Sequence, residues 1–171
     1  FGDEDHRRLA IRLETVKIET NRIKGILDDF LRFAGKYELT LSSVDLRGVT
    51  EDLLDFFAPQ ADAGGIVLRS ALADEPIICN VDVDLIKQAL LNLMINAVQV
   101  MSPGAELLIR LSAQRGSAII EVIDTGPGIS PENLDRIFDV YFSTRPQGTG
   151  LCLPTTRRIV REHGGDITVE S

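Results

Sequence analysis

Leu9, Leu13, Val16, Thr20, Ile23, Leu27, Phe30 and Ala34 follow one another at alternating steps of four and three. That is a 3.5-residue period with Thr20 as its one polar member, the spacing of a helical seam and not of a strand. Arg12, Glu14, Lys17, Glu19, Lys24 and Asp28 stand between, as a solvated surface would. A helix over 9–34 with so narrow an apolar stripe needs a partner to bury it. The spacing favours a partner helix in a dimer over packing against its own domain.

The rest of the chain carries a different pattern. A short connection over 36–45 leads to Ser43 or Asp45, either able to cap a helix over 46–63 that stops at Gly64-Gly65. Strands are expected near 66–72 and 76–81. Asp82 or Asp84 then caps a helix to about Met101, whose apolar residues wrap most of its circumference and predict deep burial. Pro103-Gly104 turns the chain, and strands at 106–113 and 118–124 flank a hairpin turn at Arg115-Gly116. Ser130-Pro131 opens a short helix. A loop over 140–150 leads to a helix over 151–163 ending at Gly164-Gly165, and a last strand is expected at 166–170. This order predicts an α+β fold: a two-layer sandwich with a mixed, largely antiparallel sheet covered by helices on one face, preceded by a long N-terminal helix. It is not a doubly wound fold.

Composition narrows the function classes. A chain of 171 residues with 44% apolar residues suits one compact domain and an appendage. The formal charge of −8, with no run of Lys or Arg, argues against a nucleic-acid partner. No apolar run reaches about 18 residues, so no membrane contact is expected from this segment. The charged start is not a secretory signal. Cys79 and Cys152 lack C-x-x-C spacing and a neighbouring His, which disfavours zinc; they read as reduced thiols of a cytosolic protein.

Three groups carry chemistry. Asn92 and Asn96 lie at i and i+4 on one face of the apolar helix. An amide buried without a partner costs about 1–3 kcal/mol, so two of them ask for a reason, the plainest being a cap on a neighbouring carbonyl. Asp124 ends the alternation Ala118, Ile120, Val122, and Gly126 and Gly128 follow it. A carboxylate at a strand end can accept from an exocyclic base amine, and glycines admit a planar ligand closely. A plain Asp-Gly turn has the same letters. Third, Gly148-Thr149-Gly150 precedes a helix, where free backbone N–H groups attract phosphate, and Arg145 adds a charged donor.

In this order and spacing the three groups resemble the ATP-binding domain of sensor histidine kinases, in the superfamily shared with gyrase and heat-shock chaperone ATPases. The stretch from Gln88 to Gln99 is similar to that family's asparagine box, and Asp124–Ile129 to its first glycine box. Ile137–Arg145 resembles its phenylalanine box, Gly148–Leu153 its second glycine box, and Ile159–Gly165 the stretch after it. Gln99 and the very short loop between 145 and 148 resemble the nitrogen-regulation type. Residues 14–34 resemble the second helix of the dimerisation hairpin, so the resemblance implies part of that hairpin over 1–38 and an ATP-binding domain over 39–171.

The resemblance implies ATP and Mg²⁺ as cofactors. Asp124 would hold the adenine amine, Asn96 would ligate Mg²⁺, and Asn92 would contact phosphates or their water. Gln99, Gly126, Gly128 and Ile129 would complete the nucleotide site, with Thr144, Arg145, Gly148, Thr149, Gly150 and Leu151 at the phosphates. The implied activity is transfer of the γ-phosphoryl to a histidine on another helix, with a homodimer through the N-terminal helix, a response-regulator receiver domain as partner, and a cytoplasmic location. Hydrolytic relatives carry Glu where Asn92 stands; asparagine offers no base, which favours phosphoryl transfer over hydrolysis. A nucleotide-binding dimerisation module without kinase activity is the alternative.

Departures from the pattern set further expectations. His6 is followed by Arg7 and His163 by Gly164, so neither has the acidic neighbour of a phosphoacceptor, and this chain is not expected to phosphorylate itself. Cys152 stands where the family has glycine. If the backbone there needs a positive φ, the side chain costs about 1–2 kcal/mol and weakens nucleotide binding, and a thiol at a helix N-terminus could be reactive. The family continues past the position of Ser171 into a closing strand, whose absence would leave the pocket incomplete.

Overall fold

The computed structural model describes residues 3–35, 38–145 and 148–171, with the side chains of all of these except 3–6, 22, 28, 29, 32 and 33. Ten elements follow in order: α1 (Asp3–Ala34), β1 (Ser42–Asp45), α2 (Leu46–Ala63), β2 (Val67–Leu72), β3 (Ile78–Val81), α3 (Val83–Val98), β4 (Glu106–Gln114), β5 (Ser117–Asp124), α4 (Pro131–Leu134) and α5 (Cys152–Glu162).

β4 is the centre of a three-stranded sheet, parallel to β2 and antiparallel to β5. β1 and β3 form a separate antiparallel pair, from Ser42 opposite Val81 to Asp45 opposite Ile78. The β4–β5 hairpin closes over Arg115 (φ 51) and Gly116 (φ 81), the two left-handed residues that a type I′ turn demands. Leu107, Ile109 and Leu111 of β4 point to one face and are buried; Leu107 and Ile109 pack with Leu53, Phe57 and Ala61 of α2 and Leu90, Met94 and Ala97 of α3, and Leu111 with Leu46, Ile77 and Val81. The opposite face carries ion pairs, Arg69 with Glu106 at 2.9 Å and Arg110 with Glu121 at 3.1 Å. One face apolar and one wet is the alternation that a period of two dictates.

Three expectations need correction in detail. The connection over 36–45 contains β1, a strand too short and polar to show alternation; it exists because β3 offers it a ladder. Residues 166–171 form no strand, although their composition is strand-like, because no ladder partner engages them. The tail instead brings the Ser171 hydroxyl to the Ile129 N–H, which donates to it at 2.6 Å. α3 is also less deeply sunk than its composition implies. Ala89, Leu90, Met94 and Ala97 form its buried stripe, while Asn92 and Asn96 are half-buried.

α1 leaves its apolar residues in solvent. Leu9, Leu13, Val16, Ile23, Leu27 and Phe30 are each more than two-fifths exposed. Ile11 and Ile18 are exposed as well, on the side of the helix opposite the seam. Among the described residues no helix is long and apolar enough to cross a membrane.

Candidate nucleotide site

Arg145 meets Asn96 and Gln99 at the C-terminal end of α3, and the Gly126 turn lies against the residues that follow that helix. Asp82 starts that helix, its side chain accepting from the Leu85 N–H at 3.1 Å. Four residues from the buried Leu90, Met94 carries the helix over the sheet, and this rotation turns Asn92, Asn96 and Gln99 outward toward the loops. The Asn92 side chain makes no hydrogen bond to a described residue, so the plain capping explanation of its amide does not hold here.

β5 delivers Asp124 to the same end. Asp124 is the last residue of the strand, opposite Leu107, and lies just past the core-facing Ile120 and Val122. Its Oδ1 accepts from the Gly126 N–H at 2.8 Å, and the exposed carboxylate keeps Oδ2 for another donor. Thr125 locks the turn to β4: its hydroxyl accepts from the Glu106 N–H at 2.9 Å, and its own N–H donates to the Glu106 carbonyl at 3.1 Å. At Gly126 a Cβ would stand 3.4 Å from Met101 Cγ and 3.5 Å from Val100 Cγ2, so this turn lies directly against the residues that follow α3. Gly128 has φ +76 and needs to be glycine on that ground.

The third group closes the other side. Gly150 has φ +66, and a Cβ on it would stand 2.6 Å from Phe142 N and 2.7 Å from Phe142 O. Its carbonyl accepts from the Tyr141 N–H at 3.0 Å. The second glycine stretch is thereby laid against the segment before Thr144. Arg136 stacks over the Phe142 ring at 4.4 Å and Arg157 of α5 over Phe138 at 5.1 Å, which fixes that segment at both ends. Ser143 braces Arg145: its hydroxyl accepts from the Arg145 N–H at 3.1 Å and donates to the Arg145 carbonyl at 3.2 Å. The Gly148 N–H donates to the same carbonyl at 3.1 Å.

Arg145 then reaches α3. Its Nη2 donates to Asn96 Oδ1 at 2.9 Å and its Nη1 donates to Gln99 Oε1. Thr144 is exposed beside it. The Thr149 hydroxyl accepts from the Leu151 N–H at 3.4 Å, and Leu151 is the N-cap position of α5, with no side-chain cap bond and its own side chain fully buried. Leu151 thus offers backbone only. Of the predicted residues, Arg145, Asn96 and Gln99 are joined by hydrogen bonds, the Asp124–Gly126 turn lies against Val100 and Met101, Gly150 packs on Tyr141 and Phe142, and Ile129 bonds the tail at Ser171; Ser143 and Thr125 act as braces and carry no signal in sequence beyond an ordinary turn hydroxyl.

Cys152 is the first residue of α5 and has no positive φ; the left-handed position is Gly150, two residues earlier. The strain expected at 152 is therefore absent. His163 is tied into the fold: its Nε2 accepts from the Asp82 N–H at 3.0 Å, which leaves Nδ1 to donate to the Ile159 carbonyl at 2.8 Å. The His6 side chain lies outside the described residues.

An amide oxygen is a fitting ligand for Mg²⁺, which prefers oxygen and few protein ligands. Asn96 Oδ1 already faces a positive charge, the Arg145 guanidinium, so the donor set fits a cation.

Residues 81–171 match the family described as Histidine kinase-, DNA gyrase B-, and HSP90-like ATPase. The chain is 33% identical to Sensor histidine kinase ZraS of Escherichia coli (strain K12) over 170 residues, 99% of this chain and 36% of that protein. It thus spans about a third of the length of this curated relative. The structure of full-length ShkA in complex with AMPPNP is similar with a TM-score of 0.79 and 28% identity, covering 91% of this chain and 34% of that one. Histidine kinase ThkA in complex with response regulator protein TrrA shares the fold, with a TM-score of 0.79 at 22% identity over 95% of this chain and 47% of that one.

Proposed function

This chain belongs to the histidine kinase-, DNA gyrase B- and HSP90-like ATPase family, and from that premise we propose that it is the Mg-ATP-binding catalytic portion of a sensor histidine kinase. Residues 39–171 are the ATP-binding domain, and 1–38 are part of a dimerisation hairpin whose partner is a second copy of the chain. The observation that carries this reading is that Arg145 reaches Asn96 and Gln99 at the end of α3, while the Asp124 turn lies against Val100 and Met101 just after that helix and the Gly150 turn backs the segment leading to Arg145. A similar fold with AMPPNP bound, in ShkA, supports it.

In this reading Asp124 Oδ2 accepts the adenine amine, and Gly126 and Gly128 leave room for the ring. Asn96 would hold Mg²⁺, which would neutralise charge on the phosphate oxygens. Thr144, Arg145, Thr149 and the amides over 148–151 orient the phosphates. Asn92 faces them without being a base, so the γ-phosphoryl passes in line to a histidine of a separate helix and not to water. His163, with both ring nitrogens engaged, is not that histidine. A response-regulator receiver domain is the onward partner, in keeping with the TrrA-bound neighbour of the same fold. The cytoplasm, where ATP is available, is the location.

Calorimetry tests the site. ATP or ADP binding should depend on Mg²⁺ and be lost in Asp124→Asn; an Asp124→Asn variant that binds as well as the parent chain overturns the adenine assignment.

A further inference from the structure

Arg145 is held differently from the arginines that form ion pairs. In a chain of net charge −8, Arg47, Arg69, Arg110, Arg136, Arg158 and Arg161 each pair with a carboxylate. Arg145 instead gives both guanidinium ends to neutral amide oxygens, Asn96 Oδ1 at 2.9 Å and Gln99 Oε1. Asn96 and Gln99 stand one turn apart on α3, so they form a two-pronged acceptor for one planar fork. The arginine is braced from behind by the Ser143 hydroxyl and by the Gly148 N–H, and its backbone is set for this reach before any ligand arrives.

We infer that Arg145 is an internal stand-in for the metal. Its guanidinium occupies the cation side of Asn96 Oδ1 while the site is empty, Gln99 steadies it there, and Mg²⁺ must displace it before nucleotide binds productively. This rests on the proposed assignment of Asn96 to Mg²⁺. Two cations cannot share one amide oxygen at contact distance without strong repulsion, so metal entry and arginine departure are one event. The displaced guanidinium is then free to turn to the phosphates. Gln99 becomes a positioning residue for Arg145 and not a ligand of the nucleotide.

The test is calorimetric titration of the chain with ADP, with Mg²⁺ and with EDTA, on the parent, Gln99→Leu and Asn96→Ala. Removing one prong of the latch should tighten Mg-ADP binding about three- to tenfold, the share expected of one ordinary net hydrogen bond, and change metal-free ADP binding by less. Side-chain NMR should show separate, slowly exchanging Arg145 Nη signals in the ligand-free parent and a single averaged signal in Gln99→Leu. Gln99→Leu that weakens ADP equally with and without metal makes Gln99 a nucleotide ligand and overturns the latch, as does unchanged affinity with an already averaged guanidinium signal. Asn96→Ala separates the two ideas: persistence of full Mg²⁺ dependence in that variant overturns the metal assignment itself, whatever Gln99→Leu does.

Discussion

At the residue scale, positions 150 and 152 show how backbone angle decides what a side chain costs. Gly150 lies at φ +66 with backbone atoms of Phe142 at 2.6 and 2.7 Å from where a Cβ would go. An L side chain adds about 1–2 kcal/mol for the left-handed region, and the overlap with fixed backbone adds to it. Gly150→Ala should therefore lower stability in urea denaturation by about 2 kcal/mol or more and displace the 141–142 segment, with loss of ADP binding. Cys152→Gly should do the reverse of what its family position suggests: ADP affinity stays within a factor of about two, and stability drops slightly, as glycine does at a helix start. Much of the candidate site was legible residue by residue, because Asp124, Asn92 and Asn96 and the glycines occupy spacings that only a few geometries reconcile. The location of the strain was not. Sequence points to position 152 for a left-handed residue, whereas that residue is Gly150, set by the approach of Tyr141–Phe142.

At the element scale, one chain of hydrogen bonds ties three pieces together. Thr40 N–H donates to Asp82 Oδ2 at 2.9 Å, Leu85 N–H to Asp82 Oδ1 at 3.1 Å, and Asp82 N–H to His163 Nε2 at 3.0 Å. The start of α3 is thus joined to the segment before β1 and to the end of α5. The Thr40 amide, followed by that of Leu85, holds the Asp82 carboxyl below the ordinary carboxylate range. A depressed carboxyl contributes stability that is present above the unfolded pKa of about 3.9 and is lost as pH falls through the lower folded value. Thermal unfolding of the parent should therefore steepen its decline on the acid side of that window, and Asp82→Asn should flatten it there while costing about 1 kcal/mol at neutral pH. A slope identical in parent and variant would remove Asp82 from the account. The cap itself could be read from Asp82 ahead of an apolar run. Its bond to His163 could not, because 81 residues separate the partners and nothing local marks them.

At the scale of the whole molecule, α1 is the element the domain does not bury. Leu13 is 62% and Leu27 53% exposed along the seam, and Ile11 (67%) and Ile18 (58%) are exposed on the opposite side. A helix apolar on two sides is satisfied between neighbours and not on one surface, which is the situation of a bundle. The seam was legible because 3.5 is a strict period; the second side was not, since two isoleucines among charges make no periodic signal. The chain should sediment as a concentration-dependent dimer, and Leu13→Asp with Leu27→Asp should leave a monomer whose ADP affinity is that of the parent. A parent that stays monomeric at high concentration overturns the seam as a self-association surface. β4 sets a different kind of order. Its antiparallel partner β5 is reached across two residues, whereas its parallel partner β2 is reached only after β3 and α3 have been laid down. Loop closure makes the first pairing fast and the second slow. The hairpin that carries Asp124 can therefore form early, whereas α3, with Asn92 and Asn96, lies within the crossover that must dock late. On that order the residues proposed for the nucleotide site come together only when the crossover docks, and a partly folded chain would have no competent pocket with which to capture ATP.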